Sequence, residues 1–244
     1  MSNISSTAAR PLSEINQLQH FGQRFPLVPR KHSTKLKVSL LFARRLYQKI
    51  GLGSYLWFWL SLGFKFPGII RRNQEGLSLM KSSFGGFARL QWILLIAIYE
   101  RLSRSFGKAE AYQFVKDCIQ EGSRYMMAEF YEAEELAKFD DPYAAFWEYH
   151  KAMFRGDDNF DNELIEGDDC HRMIVHNCRS CAIAQLTISE LGPMGCDHDI
   201  TGFEAISEQI QMDFRRPTTL AKDGKPCEFM FFRKGTAPEG LETK

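Results

Sequence analysis

The spacing of apolar residues changes once along the 244-residue chain, near residue 169. Before that point apolar side chains recur at the three- and four-residue intervals of a helix, as they do over residues 111–119. After it, short segments alternate between apolar and polar residues, as Ile210, Met212 and Phe214 do. The Asp223–Gly224 pair is typical of a hairpin turn. The sequence therefore predicts an α+β fold, in which an N-terminal helical bundle precedes a small antiparallel sheet with an inserted helix.

Glycines and caps set the expected limits of the helices. Gly51, Gly107, Gly122 and Gly156 each follow a helical pattern, and Asp141 stands where it can cap a helix that begins at Pro142. The predicted helices cover residues 34–49, 87–105, 108–121, 123–138, 142–155 and 178–191, with a short one near 202–209 capped by Asp199 or Thr201. Strands are expected at 170–178, 208–216 and 226–234, and the acid-rich residues 155–169 are expected to form a solvated loop.

Four parts of the chain differ in character. Residues 1–34 contain three prolines and no lasting periodicity, which predicts a flexible polar arm. Residues 35–87 are expected to form a helical, apolar N-terminal extension. Residues 88–234 form the main α+β domain, and residues 235–244 a flexible tail.

Charge and cysteine content narrow the class of protein. With 31 basic and 30 acidic residues the net charge is +1, so no overall field would draw the molecule to nucleic acid. The first residues are polar and lack the apolar core of a secretory signal. Six cysteines in such a chain indicate a reducing compartment. We therefore expect a cytoplasmic protein with a small-molecule substrate and no nucleic-acid partner.

Two apolar runs raise the question of a membrane. Residues 55–64 and 90–99 are both shorter than the roughly 20 apolar residues that a spanning helix needs, so no span is expected. The first run is rich in Trp and Phe and has basic flanks, so residues 35–72 are a candidate for peripheral membrane contact. The favoured alternative is that this segment is helical and packs its aromatic side chains against the domain or, in a homo-oligomer, against a second subunit.

Residues 176–199 gather three of the six cysteines and two of the six histidines. One interpretation is a zinc or iron–sulfur site on Cys178, Cys181 and Cys196, with His198 or Cys227 as the fourth ligand. Another is a cysteine nucleophile. Cys178 is expected at a helix N-terminus beside Arg179 and His176, which would lower its thiol pKa, and Cys196 lies just ahead of the next helix. The third is that the thiols are buried apolar groups, the default for Cys118 and Cys227.

The C-terminal half resembles the L-2-amino-thiazoline-4-carboxylic acid hydrolase family. The resemblance is carried by Cys178, "ELG" at 190–192, "CDHD" at 196–199, "RPTTL" at 216–220, Gly224 and "CEF" at 227–229, and the helical lead-in from about residue 88 is also similar. It covers roughly residues 88–233 and implies that the main domain is hydrolase-like.

The resemblance also implies a reaction and a set of site residues. Water or a protein nucleophile would add to C2 of a thiazoline ring, and the C–S bond would open to give N-carbamoyl-L-cysteine. Cys196 would be the nucleophile and Asp199 or His198 the general base, with Cys178 as the other candidate thiol. Arg216 or Arg215 would bind the substrate carboxylate, and Thr218 or Thr219 would hold the ring nitrogen. No cofactor is expected. The alternatives are a non-hydrolytic metal-binding module and a membrane-peripheral accessory protein.

Overall fold

Helices dominate the first two thirds of the fold, and a four-stranded sheet follows them. The computed structural model describes residues 9–244, and residues 1–8 lie outside the described part. The elements are α1 His32–Arg72, α2 Gln74–Phe106, α3 Lys108–Phe130, α4 Ala133–Leu136, α5 Pro142–Phe154, β1 Phe160–Ile165, β2 Cys170–Cys178, α6 Arg179–Gln185, α7 Met194–Ile206, β3 Met212–Arg215, α8 Leu220–Asp223 and β4 Cys227–Arg233. The α+β prediction is confirmed.

The sheet is antiparallel, with the strand order β1-β2-β4-β3. Met173 of β2 is opposite Phe229 of β4, and Phe214 of β3 is opposite Phe231. Because side chains alternate along a strand, these residues share the buried face, which packs on α5 and α7.

β1 corrects the expectation of a solvated loop over residues 155–169. Its acids, Asp161 and Glu163, are exposed on one face, while Phe160 and Leu164, which alternate with them, are partly buried on the other. The sequence does alternate between apolar and polar residues here, but its many acids led to the prediction of a loop, because the outward-facing residues of this edge strand are acidic.

Three helix limits differ from those expected. α3 continues through Gly122, where a Cβ would lie 3.5 Å from Val38 Cγ1 of α1, an ordinary packing distance. The helix expected over 178–191 starts one residue later, ends at Gln185 and is followed by a 3₁₀ turn at Ser189–Leu191. α7 begins at Met194, which places Cys196 in its first turn.

Asp223 and Gly224 end the one-turn helix α8 instead of forming a two-residue hairpin. Gly51 and Gly107 do break the helical conformation, with φ of 73° and 88°.

The segment before α1 also differs from the loose polar arm expected over residues 1–34. Within its described part, Ile15 and Leu18 are buried, and Phe25 packs edge-on against Phe130 with ring centroids 5.3 Å apart. The Arg10 amide donates to the Lys138 carbonyl at 2.9 Å. These apolar residues, three to seven positions apart, hold the segment along the domain.

Two core clusters account for the packing. The sheet cluster surrounds Tyr131, Phe146, Phe203 and Phe231 and joins α5 and α7 to the sheet. The helix cluster joins α1, α2, α3 and α6 and includes Leu46, Leu77, Ile96, Val115 and Ile183. α2 runs through position 87/88, where the main domain was expected to begin, and the helix cluster takes residues from both sides of that position.

The second half of α1 is apolar on two opposite faces. Phe58, Leu62 and Ile69 are buried in the helix cluster, whereas Leu52, Leu56, Trp57, Leu60 and Phe64 are exposed. Leu60 is 70% exposed and Phe64 91%. The expected helix is therefore present, but the expected packing of Trp57 and Phe64 is wrong, because their side of α1 faces away from the core. No described helix is long and apolar enough to cross a membrane.

Gly76 fixes how α2 packs on α6. A Cβ at Gly76 would lie 2.5 Å from Thr187 Cγ2 and 3.1 Å from Leu186 Cβ. Thr187 cannot yield easily, because its hydroxyl accepts from Trp92 Nε1 at 3.0 Å and donates to the Ile183 carbonyl at 2.8 Å.

We expect Gly76→Ala to lower the free energy of unfolding by about 1–3 kcal/mol through overpacking, measured by urea denaturation. Gly63→Ala is the matched control, since nothing lies within 4 Å of its Cβ position. That control should gain up to about 1 kcal/mol of helix propensity. Equal effects of the two substitutions would contradict the packing described here.

Candidate functional site

A cavity of about 500 Å³ lies between the two core clusters. Cys178, Cys181, Cys196 and Cys227 all line it. These thiols come from the end of β2, from α6, from the first turn of α7 and from the start of β4. Cys118, the predicted core thiol, is fully buried in the helix cluster instead.

Cys196 and Cys227, here called the thiol pair, lie close enough for each to shift the pKa of the other. The pKa of Cys227 is lowered, because the Cys196 thiol donates a hydrogen bond to its sulfur and the Leu220 amide donates another at 3.2 Å. The pKa of Cys196 is raised, because that hydrogen bond and its burial both hold its proton. Arg216 lowers the pKa of both thiols by charge attraction. Cys227 is therefore the sulfur that ionises first, and Cys196 is its proton donor.

Cys227 was expected to be a core thiol, because alternation along β4 points it to the buried face. That orientation is correct, but the buried face borders the cavity at this point. Its place in the "CEF" segment of the family resemblance was the only sequence signal for it.

Cys178 is not the activated thiol that its neighbours suggested. Its pKa is raised to about 12, mainly by burial and also by the nearby Cys181 and Cys196 thiols, while hydrogen bonds from the Cys181 and Ser180 amides lower it. It is the last residue of β2, and α6 after it has only seven residues. Burial in apolar surroundings outweighs the helix terminus here.

His198 and Asp199 both line the cavity beside the thiol pair. His198 Nδ1 lies 3.6 Å from Asp199 Oδ1, longer than a hydrogen bond. His198 Nε2 is buried and has no hydrogen-bond partner among the described residues. A buried imidazole nitrogen without a partner is available to a ligand or a reacting group.

Arg216 takes a role that the sequence did not indicate. Its side chain is fully buried and does not line the cavity. Nη1 donates to Asp199 Oδ2 at 2.9 Å, and Nη2 donates to the Cys196 carbonyl at 2.8 Å and to the Lys244 carbonyl at 2.5 Å. It therefore positions the first turn of α7. These contacts also order the end of the expected flexible tail, where the Lys244 amide donates to the Arg216 carbonyl at 3.0 Å.

The other expected substrate-binding residues also lie outside the cavity lining. Arg215 donates to the Phe214 carbonyl at 2.8 Å. Thr218 donates to the Pro226 carbonyl at 2.6 Å, and Thr219 caps α8 by accepting from the Lys222 amide at 3.0 Å. The structure therefore brings together Cys178, Cys196, His198 and Asp199 in the cavity but not Arg215, Arg216, Thr218 or Thr219.

A second buried ion pair holds α7 from the other side. Asp197, only 1% exposed, accepts from Tyr112 Oη at 2.5 Å and from Lys222 Nζ at 2.9 Å. Burial and the bond to this carboxylate raise the pKa of Tyr112. Asp197 thus ties α7 to α3 and α8 while its neighbours face the cavity.

The metal interpretation of the cysteines finds no support in their arrangement. In residues 9–244, no three His, Cys, Asp or Glu side chains are grouped so as to hold a metal ion. Cys196 instead shares a hydrogen bond with Cys227.

Comparison with known proteins gives one match. The family described as L-2-amino-thiazoline-4-carboxylic acid hydrolase matches residues 88–231, more than half of the chain. No curated protein and no solved structure matched.

The thiol pair predicts an order of alkylation. Because a thiolate is the reactive form, we expect iodoacetamide at pH 7–8 to modify Cys227 before Cys178. The Cys227 rate should rise toward a plateau at a pH below the ordinary thiol pKa of 9.0, whereas Cys178, with its pKa of about 12, should react only in alkali. Peptide mapping by mass spectrometry measures both rates.

Cys196→Ala provides the specific test, since it removes the hydrogen-bond donor and should shift the Cys227 profile to higher pH. Cys118, whose pKa burial raises to about 12, is the internal control and should stay unmodified. Modification of Cys178 first, or an unchanged Cys227 profile in Cys196→Ala, would contradict the pairing.

Proposed function

The chain belongs to the L-2-amino-thiazoline-4-carboxylic acid hydrolase family, and we propose on that premise that it opens an amidine-like heterocycle. The observation that carries the proposal is that one cavity contains the Cys196–Cys227 pair, His198 and Asp199. These groups supply a nucleophile, a proton carrier and a carboxylate that accepts from an amidine. The six free cysteines agree with a reducing, cytoplasmic setting.

The first step is addition of a thiolate to C2 of the ring. The Cys227 thiolate, or Cys196 after passing its proton to Cys227, forms a C–S bond to this carbon. The C=N electron pair moves to the ring nitrogen, which takes a proton from His198. Re-formation of the C=N bond returns that proton to His198 and expels the ring sulfur, which takes the proton from His198 Nε2 and leaves as a thiol. The product of this step is an S-linked isothiourea on the enzyme.

The second step is hydrolysis of that intermediate. His198 Nε2 accepts a proton from water, and the water oxygen adds to the same carbon. The enzyme thiolate leaves and recovers a proton, and the carbon becomes the carbonyl of a carbamoyl group. Asp199, fixed by Arg216, orients the imidazole and balances its charge. In the alternative without a covalent step, His198 and Asp199 activate water for direct attack on C2.

We expect Cys227→Ala, Cys196→Ala and His198→Gln each to lower kcat/KM for a 2-amino-thiazoline by at least about 100-fold, as loss of a nucleophile or an acid–base group does. Release of the ring thiol measures turnover. Cys118→Ala is the matched control, which should keep its activity and lose only about 1–2 kcal/mol of stability.

The intact mass separates the two mechanisms, because ring opening by a thiol adds one whole substrate molecule to the protein. Undiminished activity in both Cys196→Ala and Cys227→Ala, with loss only in His198→Gln, would leave the water mechanism. Activity in all three variants would overturn the proposed site. The metal-binding alternative requires about one equivalent of zinc or iron in purified protein, lost in Cys178→Ala.

One observation favours a second role, peripheral contact with an anionic membrane through the exposed face of α1. Leu52, Leu56, Leu60 and Phe64 recur every four residues, so they form one stripe on the side opposite the buried face. The surrounding sequence from residue 30 to 74 contains no acid and ten cations: Arg30, Lys31, Lys35, Lys37, Arg44, Arg45, Lys49, Lys65, Arg71 and Arg72. Arg45, Lys49 and Arg72 already pair with Glu121, Glu110 and Glu100. A symmetric dimer through this stripe would bring the other cations together, whereas anionic lipid would neutralise them.

We expect the protein to co-sediment with phosphatidylserine-containing vesicles and to bind phosphatidylcholine vesicles less well, with binding that weakens as salt rises. Leu60→Glu should abolish the binding. Leu186→Glu, the same change at another exposed leucine, should leave it unchanged. Equal binding by the two variants, or a dimer that Leu60→Glu dissociates without lipid, would contradict the membrane role.

A further inference from the structure

One wall of the cavity is formed by residues that precede the segment matched by the family. The matched segment begins at residue 88, yet side chains from residues 25–80 line the cavity opposite the thiols. They belong to the segment before α1, to both halves of α1 and to the first half of α2, and they include Leu27, Val28, Phe42, Leu46, Trp59 and Met80. This wall is therefore a property of this chain, beyond what the family match covers.

The lack of cations in the cavity lining excludes a ligand that carries a carboxylate. Among the described residues that line the cavity, Asp199 is the only carboxylate and there is no Lys or Arg. The nearest guanidinium, that of Arg216, is already occupied by Asp199 and two carbonyls. A carboxylate placed in this cavity would thus be desolvated without a cation to pair with, which is strongly unfavourable.

Two buried polar atoms without a hydrogen-bond partner lie on the thiol side of the cavity. Ser180 Oγ and His198 Nε2 are both buried without a partner, and both residues line the cavity. They come from α6 and α7, the same side as Cys196 and Cys227. The opposite wall, from α1 and α2, is almost wholly apolar. The cavity is therefore polar on one side and apolar on the other.

We propose that the substrate is an amphiphile with an amidine-like head that lacks a carboxylate and a long apolar tail. The head lies against Cys227, His198 and Ser180, and the tail lies along α1 and α2 toward Leu46 and Trp59. This inference rests on the proposed function for the identity of the head, but its tail and charge requirements depend only on the cavity. A volume of about 500 Å³ is within the roughly 300–1,000 Å³ range of pockets that enclose drug-sized ligands.

The chemistry of the tail explains why the N-terminal helices complete the cavity. Each methylene that leaves water for an apolar wall strengthens binding about fourfold. A small amino-acid-like ring would leave most of this wall uncovered, so the wall discriminates in favour of longer molecules.

The test is displacement of N-phenyl-1-naphthylamine, an uncharged fluorophore that brightens in apolar cavities, by three unreactive competitors. Decanamide carries an uncharged polar head and a long tail, butanamide has the same head and a short tail, and decanoate has the long tail and a carboxylate. We expect decanamide to bind at least about 100-fold more tightly than butanamide. Decanoate should bind more weakly than decanamide by at least about tenfold.

Ala43→Phe fills the apolar side of the cavity from α1, at a residue outside the proposed catalytic groups. It should remove most of the advantage of decanamide over butanamide. Ala109→Phe is the matched control, because Ala109 is exposed on α3 away from the cavity, and it should bind like the unmodified protein. If Ala43→Phe does not fold, Ser39→Phe, at an exposed residue of the same wall, replaces it.

Equal affinities for decanamide and butanamide, or tighter binding of decanoate than of decanamide, would overturn this inference. Cys196→Ala should keep the full dependence on chain length, because the tail does not contact the thiols. Chain-length dependence in a protein without hydrolytic activity would support the inference while refuting the proposed function. Hydrolysis without chain-length dependence would do the reverse.

Discussion

The Arg216 guanidinium is fully buried, and the site depends on how this charge is neutralised. A buried cation is tolerated only when it is paired and hydrogen-bonded. Asp199 supplies the opposite charge and accepts from Nη1, and the carbonyls of Cys196 and Lys244 accept from Nη2, while Nε has no partner among the described residues. These partners lie in the first two turns of α7 and at residue 244, so the edge of the sheet and the start of α7 have one relative position. That position places Cys196 beside Cys227.

In this arrangement one set of residues positions α7 and another set faces the cavity, whereas the sequence predicted a single set of site residues. Arg216 and Asp197 are occupied in holding α7, so the groups that face the cavity are the thiols and His198. The interaction with Cys196 and the hydrogen bond from the Leu220 amide make Cys227 the more acidic thiol, and His198 Nε2 has no partner among the described residues. A preorganised site requires this arrangement, with positioning groups outside the cavity and reactive groups inside it.

Local patterns predicted the parts of the fold that local forces determine. Asp141 caps α5 by accepting from the Ala144 amide, Gly107 ends α2, and β2 has the limits expected from its alternation. Cys178 and Cys196, the two thiols that the sequence offered as candidate nucleophiles, both line the cavity.

The remaining features depend on contacts that no short pattern encodes. Whether Arg216 faces substrate or Asp199 depends on where α7 lies relative to β3. Whether Phe64 is buried depends on which of two apolar faces of α1 meets the core, since both faces have similar composition. The role of Cys227 depends on a cavity that opens next to β4, although the residue itself is an ordinary buried strand position.

The reactive thiols and the apolar wall of the N-terminal helices belong to one cavity. The most direct measurement compares the rates at which iodoacetamide and N-decyl-iodoacetamide alkylate Cys227. We expect the decyl reagent to react at least about tenfold faster, because its tail binds along α1 and α2 before the sulfur attacks. Equal rates for the two reagents, or slower reaction of the decyl reagent, would contradict it.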